Sequence, residues 1–171
     1  MATLRIVHEL PIAADRFWEL LHDPAYEAFQ AAGLGLGGYE EVERRVEGSV
    51  MHRRIRVVPK IEVPAAIRKV IGAGDKDAGS MGYIESQEKQ LDRYEMRWWV
   101  DPPILVGKLQ VGGLFRLEPI DATRCRRILD GEVKIGIPIV GGTVEKFVLQ
   151  EVKKTYDKVP GIVAAWVRQN P

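Results

Sequence analysis

The stretch Gly131-Glu-Val-Lys-Ile-Gly-Ile-Pro-Ile-Val-Gly-Gly-Thr-Val-Glu-Lys146 changes its period part-way along. Before Pro138, Val133, Ile135 and Ile137 alternate with Glu132, Lys134 and Gly136, the pattern of a strand with one buried face. After Gly141-Gly142 the spacing becomes helical. Val144, Phe147, Val148, Val152, Tyr156, Val159 and Val163 trace one broad stripe, and Glu145, Lys146, Lys153, Lys154, Asp157 and Lys158 occupy the other side. The spacing predicts a helix over 139–169, about 30 residues and roughly 45 Å long if straight. Pro160-Gly161 should kink or split it near 160.

Upstream of this junction the chain reads as strands. Thr3–Leu10 alternates and is ended by Pro11. A short helix over Ala13–His22 carries Phe17, Leu20 and Leu21 on one face, and Asp23-Pro24 breaks it. A second short helix, Tyr26–Ala32, is closed by Gly33. Strands follow over Tyr39–Glu47 and Ser49–Val58, then Gly82–Gln90 and Arg93–Val100, then Gly107–Glu118 and Thr123–Ile137. Most are joined by short turns, which means antiparallel pairing. About seven strands, two short helices after the first, and one long C-terminal helix make an α+β domain. A strongly curved sheet wrapped around the long helix would bury that helix's stripe.

Composition bounds the rest. The 171 residues suit a single domain over 1–171. Lys plus Arg is 25 and Asp plus Glu is 24, a net charge of +1. That balance argues against a general nucleic-acid binder. Hydrophobic residues at 46% and charged residues at 29% are those of a folded domain with a sizeable core. Cys125 is the sole cysteine, so neither an internal disulfide nor a cysteine-rich zinc site can form. Arg5, His8 and Glu9 interrupt the N-terminal apolar residues, and no apolar run has the length of a membrane span. A cytoplasmic location is the expectation.

The element order, the opening Ala13-Ala14-Asp15-Arg16-Phe17-Trp18-Glu19-Leu20-Leu21-His22-Asp23-Pro24 and the junction quoted above resemble the START-like superfamily, also called Bet v 1-like, polyketide cyclase-like or SRPBCC. The likeness covers essentially the whole chain and is greatest to bacterial proteins of the DUF2505 kind. It is looser to PRELI-type and VASt-type lipid-transfer domains. The resemblance implies a helix-grip fold with a hydrophobic cavity between sheet and helix. It names no ligand.

Three groups of residues are candidates for function. The segment 60–79 is the first, with Val63-Pro-Ala-Ala-Ile-Arg-Lys-Val-Ile-Gly72 at its centre. It is similar to the helix that the lipid carriers place over the cavity mouth. Ile67, Val70 and Ile71 share a face, Arg68 and Lys69 flank it, and Gly72, Gly74 and Gly79 loosen the far end. Two readings stand: a lid that makes transient contact with a membrane surface, or a surface helix packed on the sheet edge.

The second group is charge on an inward face. Alternation puts Met51, Arg53, Ile55 and Val57 together, facing the helix. It puts Arg127 with Cys125, Leu129, Val133 and Ile135 on the inward face of the last strand. Inward arginines would grip a phosphate or carboxylate headgroup. The alternative is an ion pair with Glu85 or Glu151, or a strand end where the arginine reaches water.

The third group is aromatic. Tyr94, Met96 and Trp98 share a face opposite Trp99, and Phe115 and Leu117 face the same way from the next strand. They line a cavity or simply pack the core. The expected ligand-binding set draws on all of these faces: Met51, Arg53, Ile55, Tyr83, Glu85, Met96, Trp98, Phe115 and Arg127, with Val144, Phe147 and Val148 from the helix stripe.

Other motifs fail in context. Gly33-Leu-Gly-Leu-Gly-Gly38 fits G-x-G-x-x-G by letter but follows a helix and precedes a strand. His8, His22 and His52 lack metal-ligand spacing, so no metal and no cofactor are expected. Three functions remain open: a carrier of a hydrophobic or amphipathic small molecule such as a lipid, without covalent chemistry; a cyclase or aromatase using the same cavity; and a co-chaperone-like interaction module. Tyr83, Glu85 and Arg53 are the conceivable acid–base players of the second. An inward carboxylate with a raised pKa would favour that reading. Oligomeric state has no signal in the sequence.

Overall fold

The computed structural model describes residues 1–72, 81–103 and 105–171. Strands β1 (Ala2–Leu10), β2 (Gly38–Glu47), β3 (Val50–Val58), β4 (Tyr83–Gln90), β5 (Glu95–Asp101), β6 (Leu109–Asp121) and β7 (Arg124–Ile135) form one antiparallel sheet in the order β1-β7-β6-β5-β4-β3-β2. Helices α1 (Ala14–Leu20) and α2 (Pro24–Leu34) fill the connection between the two edge strands. Helix α3 (Ala65–Ile71) lies between β3 and β4, and α4 (Gly141–Tyr156) and α5 (Val159–Gln169) end the chain. This is the curved antiparallel sheet and C-terminal helix of the helix-grip fold.

The C-terminal helix is interrupted earlier than its proline suggests. Asp157 caps α4, and Pro160 sits in the first turn of α5, where a missing N–H breaks no helical bond. The second short helix ends at Gly35 rather than Gly33. Gly35 adopts φ 72° and takes the left-handed cap. Gly33 is needed inside the helix for a different reason: a Cβ there would lie 2.7 Å from Ile162 of α5. The expected strand and helix ends otherwise shift by a few residues, as helix and strand ends commonly do.

The register decides which side chains meet inside the sheet. One inward row runs Glu41, Ile55, Glu85, Val100, Val111, Val133. The next runs Arg53, Gln87, Trp98, Gly113, Gly131, Leu4. The third runs Met51, Lys89, Met96, Phe115, Leu129, Ile6. Edge strand β2 is largely exposed and charged, which discourages pairing with another chain.

Apolar packing divides into two clusters. One gathers Phe17, Trp18, Tyr26, Met96, Phe115, Leu117 and Leu129 beneath α1, α2 and α5. The other gathers Val63, Ile67, Val133, Ile135 and Val144, where α3 meets the start of α4. Between them, glycines carry the sheet through its sharpest approach. A Cβ on Gly113 would sit 1.9 Å from the Asp130 carbonyl oxygen, and one on Gly131 would meet the Trp98 ring at 3.2 Å.

Gly113→Ala should therefore force β6 and β7 apart and cost more than about 3 kcal/mol. Gly142→Ala, with nothing within 4 Å of its Cβ, should stabilise by about 0.5–1 kcal/mol through helix propensity. Denaturant midpoints of the two variants check this pair. A tolerated Gly113→Ala would show that the strands do not approach so closely.

Candidate functional site

The inward charges are organised into three separate groups. Arg53 is 2% exposed and extends from β3 toward α2. Its Nη2 donates to Glu27 Oε1 at 2.5 Å and to Glu41 Oε2 at 2.9 Å, and its Nη1 donates to the Leu21 carbonyl and to Gln87 Oε1. Burial opposes its charge, but Glu27, Tyr39 and Glu41 outweigh that opposition and raise its pKa. Arg44 also grips Glu41, and its hydrogen bond is the largest reason that carboxyl stays below its ordinary range. The expectation of an inward Arg53 is met. The expected partners Glu85 or Glu151 are wrong, because α2 and the edge strand supply the carboxylates instead.

Arg127 is 3% exposed and makes no carboxylate contact among the described residues. Its guanidinium stacks against Phe115 at 5.2 Å and Tyr156 at 4.8 Å. Nη1 donates to His8 Nδ1 at 3.2 Å, which leaves His8 Nε2 to donate to Asp157 Oδ1 at 3.0 Å. Burial lowers the Arg127 pKa. A salt-bridged or water-reaching Arg127 is therefore not what the fold contains.

Lys89 is the buried charge that alternation marks and composition hides. It is 1% exposed, donates to the Trp18 carbonyl, approaches His22 Nδ1 at 2.7 Å and lies 4.5 Å over the Trp18 ring. It is absent from the expected site residues, although the period from Tyr83 and Glu85 turns it inward. Lysine's usual place in solvent masks that signal. Burial first, and then Arg53, bring its pKa down to about 7. Burial and Lys89 bring His22 down to about 4.

Tyr39, Tyr83, Glu85, Trp98 and Tyr156 form a different kind of environment. Tyr83 and Glu85 are neighbours on the inward face of β4, and Tyr39 joins them across Val57. Tyr156 faces them from the end of α4, close enough that Glu85 bears on its ionisation. Glu85 Oε1 accepts from Gln87 Nε2 at 2.7 Å. Burial raises the pKa of Glu85 and of all three phenols. Protein surrounds these side chains, yet Tyr83, Glu85, Trp98 and Tyr156 all keep part of their surface accessible. Helix α4 lies over β7 and β1.

The other expected ligand-binding residues divide by depth. Met51 and Ile55 are buried, and Met96 and Phe115 belong to the filled first cluster, with Trp18 stacked on Phe115 at 6.1 Å. Val144 is buried in the second cluster, and Phe147 and Val148 are half-buried against it. Helix α3 closes over that cluster through Ile67, with Val70 and Ile71 partly covered and Lys69 exposed. Arg68 Nη1 donates to the Val63 carbonyl at 3.1 Å. Residues 73–79 of the expected lid, with Gly74 and Gly79, lie outside the described residues. Trp99, Val100, Gln110, Val111, Glu132 and Lys134 line a depression of about 400 Å³. Among the described residues, no helix is long and apolar enough to cross a membrane.

A family described as "Protein of unknown function (DUF2505)" matches residues 5–167. The chain belongs to the DUF2505 family. Its fold is shared with solved structures of low identity. A protein of Thermus thermophilus superposes with a TM-score of 0.65 at 19% identity, covering 96% of this chain and 98% of the other. The Zhui aromatase/cyclase of Streptomyces sp. R1128 gives 0.63 at 12%, covering 98% and 94%. A START superfamily protein of Mycobacterium smegmatis gives 0.62 at 13%, covering 96% and 98%. No curated protein matches the chain. The helix-grip fold expected from element order thus holds for this DUF2505 protein, and at these identities the neighbours support the fold alone.

The Lys89 environment predicts a pH effect on stability. The folded pKa of about 7 lies below the ordinary 10.5, so between those values the unfolded chain binds the extra proton. Stability contributed by this group then rises with pH across that window. Below it, the burial penalty is present in full. Lys89→Met should be more stable than the natural chain near neutrality, and the gap should narrow as pH rises toward 10.5. Thermal unfolding of both proteins across the window measures it, and a pH-independent gap would show that Lys89 stays charged.

Proposed function

We propose that this DUF2505 protein binds a hydrophobic or amphipathic small molecule, a lipid in the simplest case, between the sheet and α4, and transfers it without covalent chemistry. The observation that carries the reading is the accessible inward surface at the middle of the sheet. Protein cores are close-packed, so inward tyrosines and Trp98 with free surface support space that a ligand can fill. Each buried methylene would contribute about 0.8 kcal/mol. Helix α3, seated on the second apolar cluster, is the natural gate. Its exposed Lys69 beside Val70 and Ile71 suits transient contact with an anionic membrane surface. A cytoplasmic location fits such a carrier.

The interaction-module reading called for a filled interior, and the open middle of the sheet supports the carrier instead. A cyclase-type enzyme is favoured by one observation: Glu85 is an inward carboxyl whose pKa burial raises, the property an interior acid or base requires. Formation of a cyclised product from a poly-β-ketone, lost in Glu85→Gln, would select that reading over the carrier.

The purified protein should carry an extractable hydrophobic molecule, visible by native mass spectrometry, and should take up fluorescent lipids after delipidation. Val148→Trp, which enlarges a half-buried wall residue, should reduce uptake about tenfold or more while the fold persists. An empty protein that takes up no lipid would sink the proposal.

A further inference from the structure

We infer that the interior site of this chain takes a ligand whose polar group is an uncharged hydroxyl or phenol, docked at Tyr83, Glu85 and Tyr156, and that it disfavours an anionic headgroup. The inference rests on the carrier reading above and names the ligand class for it.

The inward arginines are the obvious anchors for an anion, and each is already engaged by the protein's own groups. Arg53 has its charge matched by Glu27 and Glu41 and its Nη1 used by the Leu21 carbonyl and Gln87, while its Nε is buried without a partner among the described residues. Arg127 has its guanidinium face against Phe115 and Tyr156 and an edge nitrogen held by His8. It lies beside the filled cluster, three register rows from Glu85.

A second set of interior polar groups without partners surrounds Glu85. Neither the Tyr83 nor the Tyr156 hydroxyl has a hydrogen-bond partner among the described residues. Glu85 accepts only from Gln87, through one oxygen. The Trp98 indole N–H, one register row away, also lacks a partner among the described residues. Buried polar groups are seldom left unpaired, so this cluster is built to meet something. A hydroxyl both donates and accepts, and it can bridge a phenol and a carboxyl together. A carboxylate or phosphate would have to shed its water against aromatic and apolar side chains, with Arg53 already matched by Glu27 and Glu41. An ammonium would be desolvated at the same cost. The raised pKa of Glu85 agrees with a carboxyl that stays neutral and can itself donate.

The test uses delipidated full-length protein loaded with N-phenyl-1-naphthylamine, an uncharged apolar fluorophore. Decanol, decanoate and decylammonium, which share one chain, then compete for it in mildly alkaline buffer. Decanol should displace the fluorophore about tenfold more effectively than either ion. Tyr83→Phe and, separately, Glu85→Leu should each remove most of that preference. Fluorophore binding itself should change less than about threefold. Tyr83→Phe conserves volume, so the test survives if Glu85→Leu fails to fold. Equal or tighter binding of decanoate overturns the inference while leaving the carrier reading intact, and so does a preference unchanged by both variants. A protein that binds neither the fluorophore nor any of the chains overturns the carrier reading and this inference together.

Discussion

A single buried guanidinium ties the structure together. Arg53 leaves β3 near one edge of the sheet, where burying a charge costs several kcal/mol unless it is matched. The match comes from three directions: Glu27 on α2, Glu41 on edge strand β2, and the Leu21 carbonyl at the end of α1. The two short helices fill the connection from β1 to β2, and Arg53 is where they lock to the far edge of the sheet. An apolar residue in its place could fill the volume. It could not fix the helices and the edge strand to one another with the same geometry, because apolar contact has no direction.

With that edge pinned, the helices at the C-terminus cannot cover the whole concave face. Helix α4 settles over β7 and β1, and α5 packs on α2 where Gly33 lets Ile162 approach. The first apolar cluster fills the space beneath α1, α2 and α5, and α3 fills the opposite end. What is left between them is floored by Trp98 over Gly131 and walled by Tyr83, Glu85 and Tyr156. The region between the two clusters takes its polar character from the β4 sequence Tyr83-Ile-Glu-Ser-Gln-Glu-Lys89.

Much of this is legible in the sequence because strands have a period of two. Alternation alone turns Arg53, Arg127, Tyr83, Glu85 and Trp98 inward, and the change to helical spacing after Gly141 locates the wrapped helix. Alternation assigns a face and not a depth. It therefore groups Met96 and Phe115, which sit in packed core, with Tyr83 and Trp98, which border open space. The ion-pair partners of Arg53 are not legible, since Glu27 and Glu41 meet it only through the topology and a β-bulge between Glu41 and Glu43. Gly33 misleads because one letter serves both a left-handed cap and a close helix contact. Lys89 escapes notice because its inward position contradicts lysine's habit.

The contrast between the two arginines bears on what the interior can recognise. A charge fully matched by its own protein offers little field to a ligand, and Arg53 is in that condition. Arg127 is not matched by a carboxylate among the described residues; two aromatic faces and the His8 ring stabilise it, with Asp157 behind the ring. Around Glu85 the uncommitted polar groups among the described residues are the carboxyl itself, two phenols and the Trp98 indole. Two inward arginines, which taken alone point to an anionic headgroup, lie in a fold that has already spent them on holding its own helices in place.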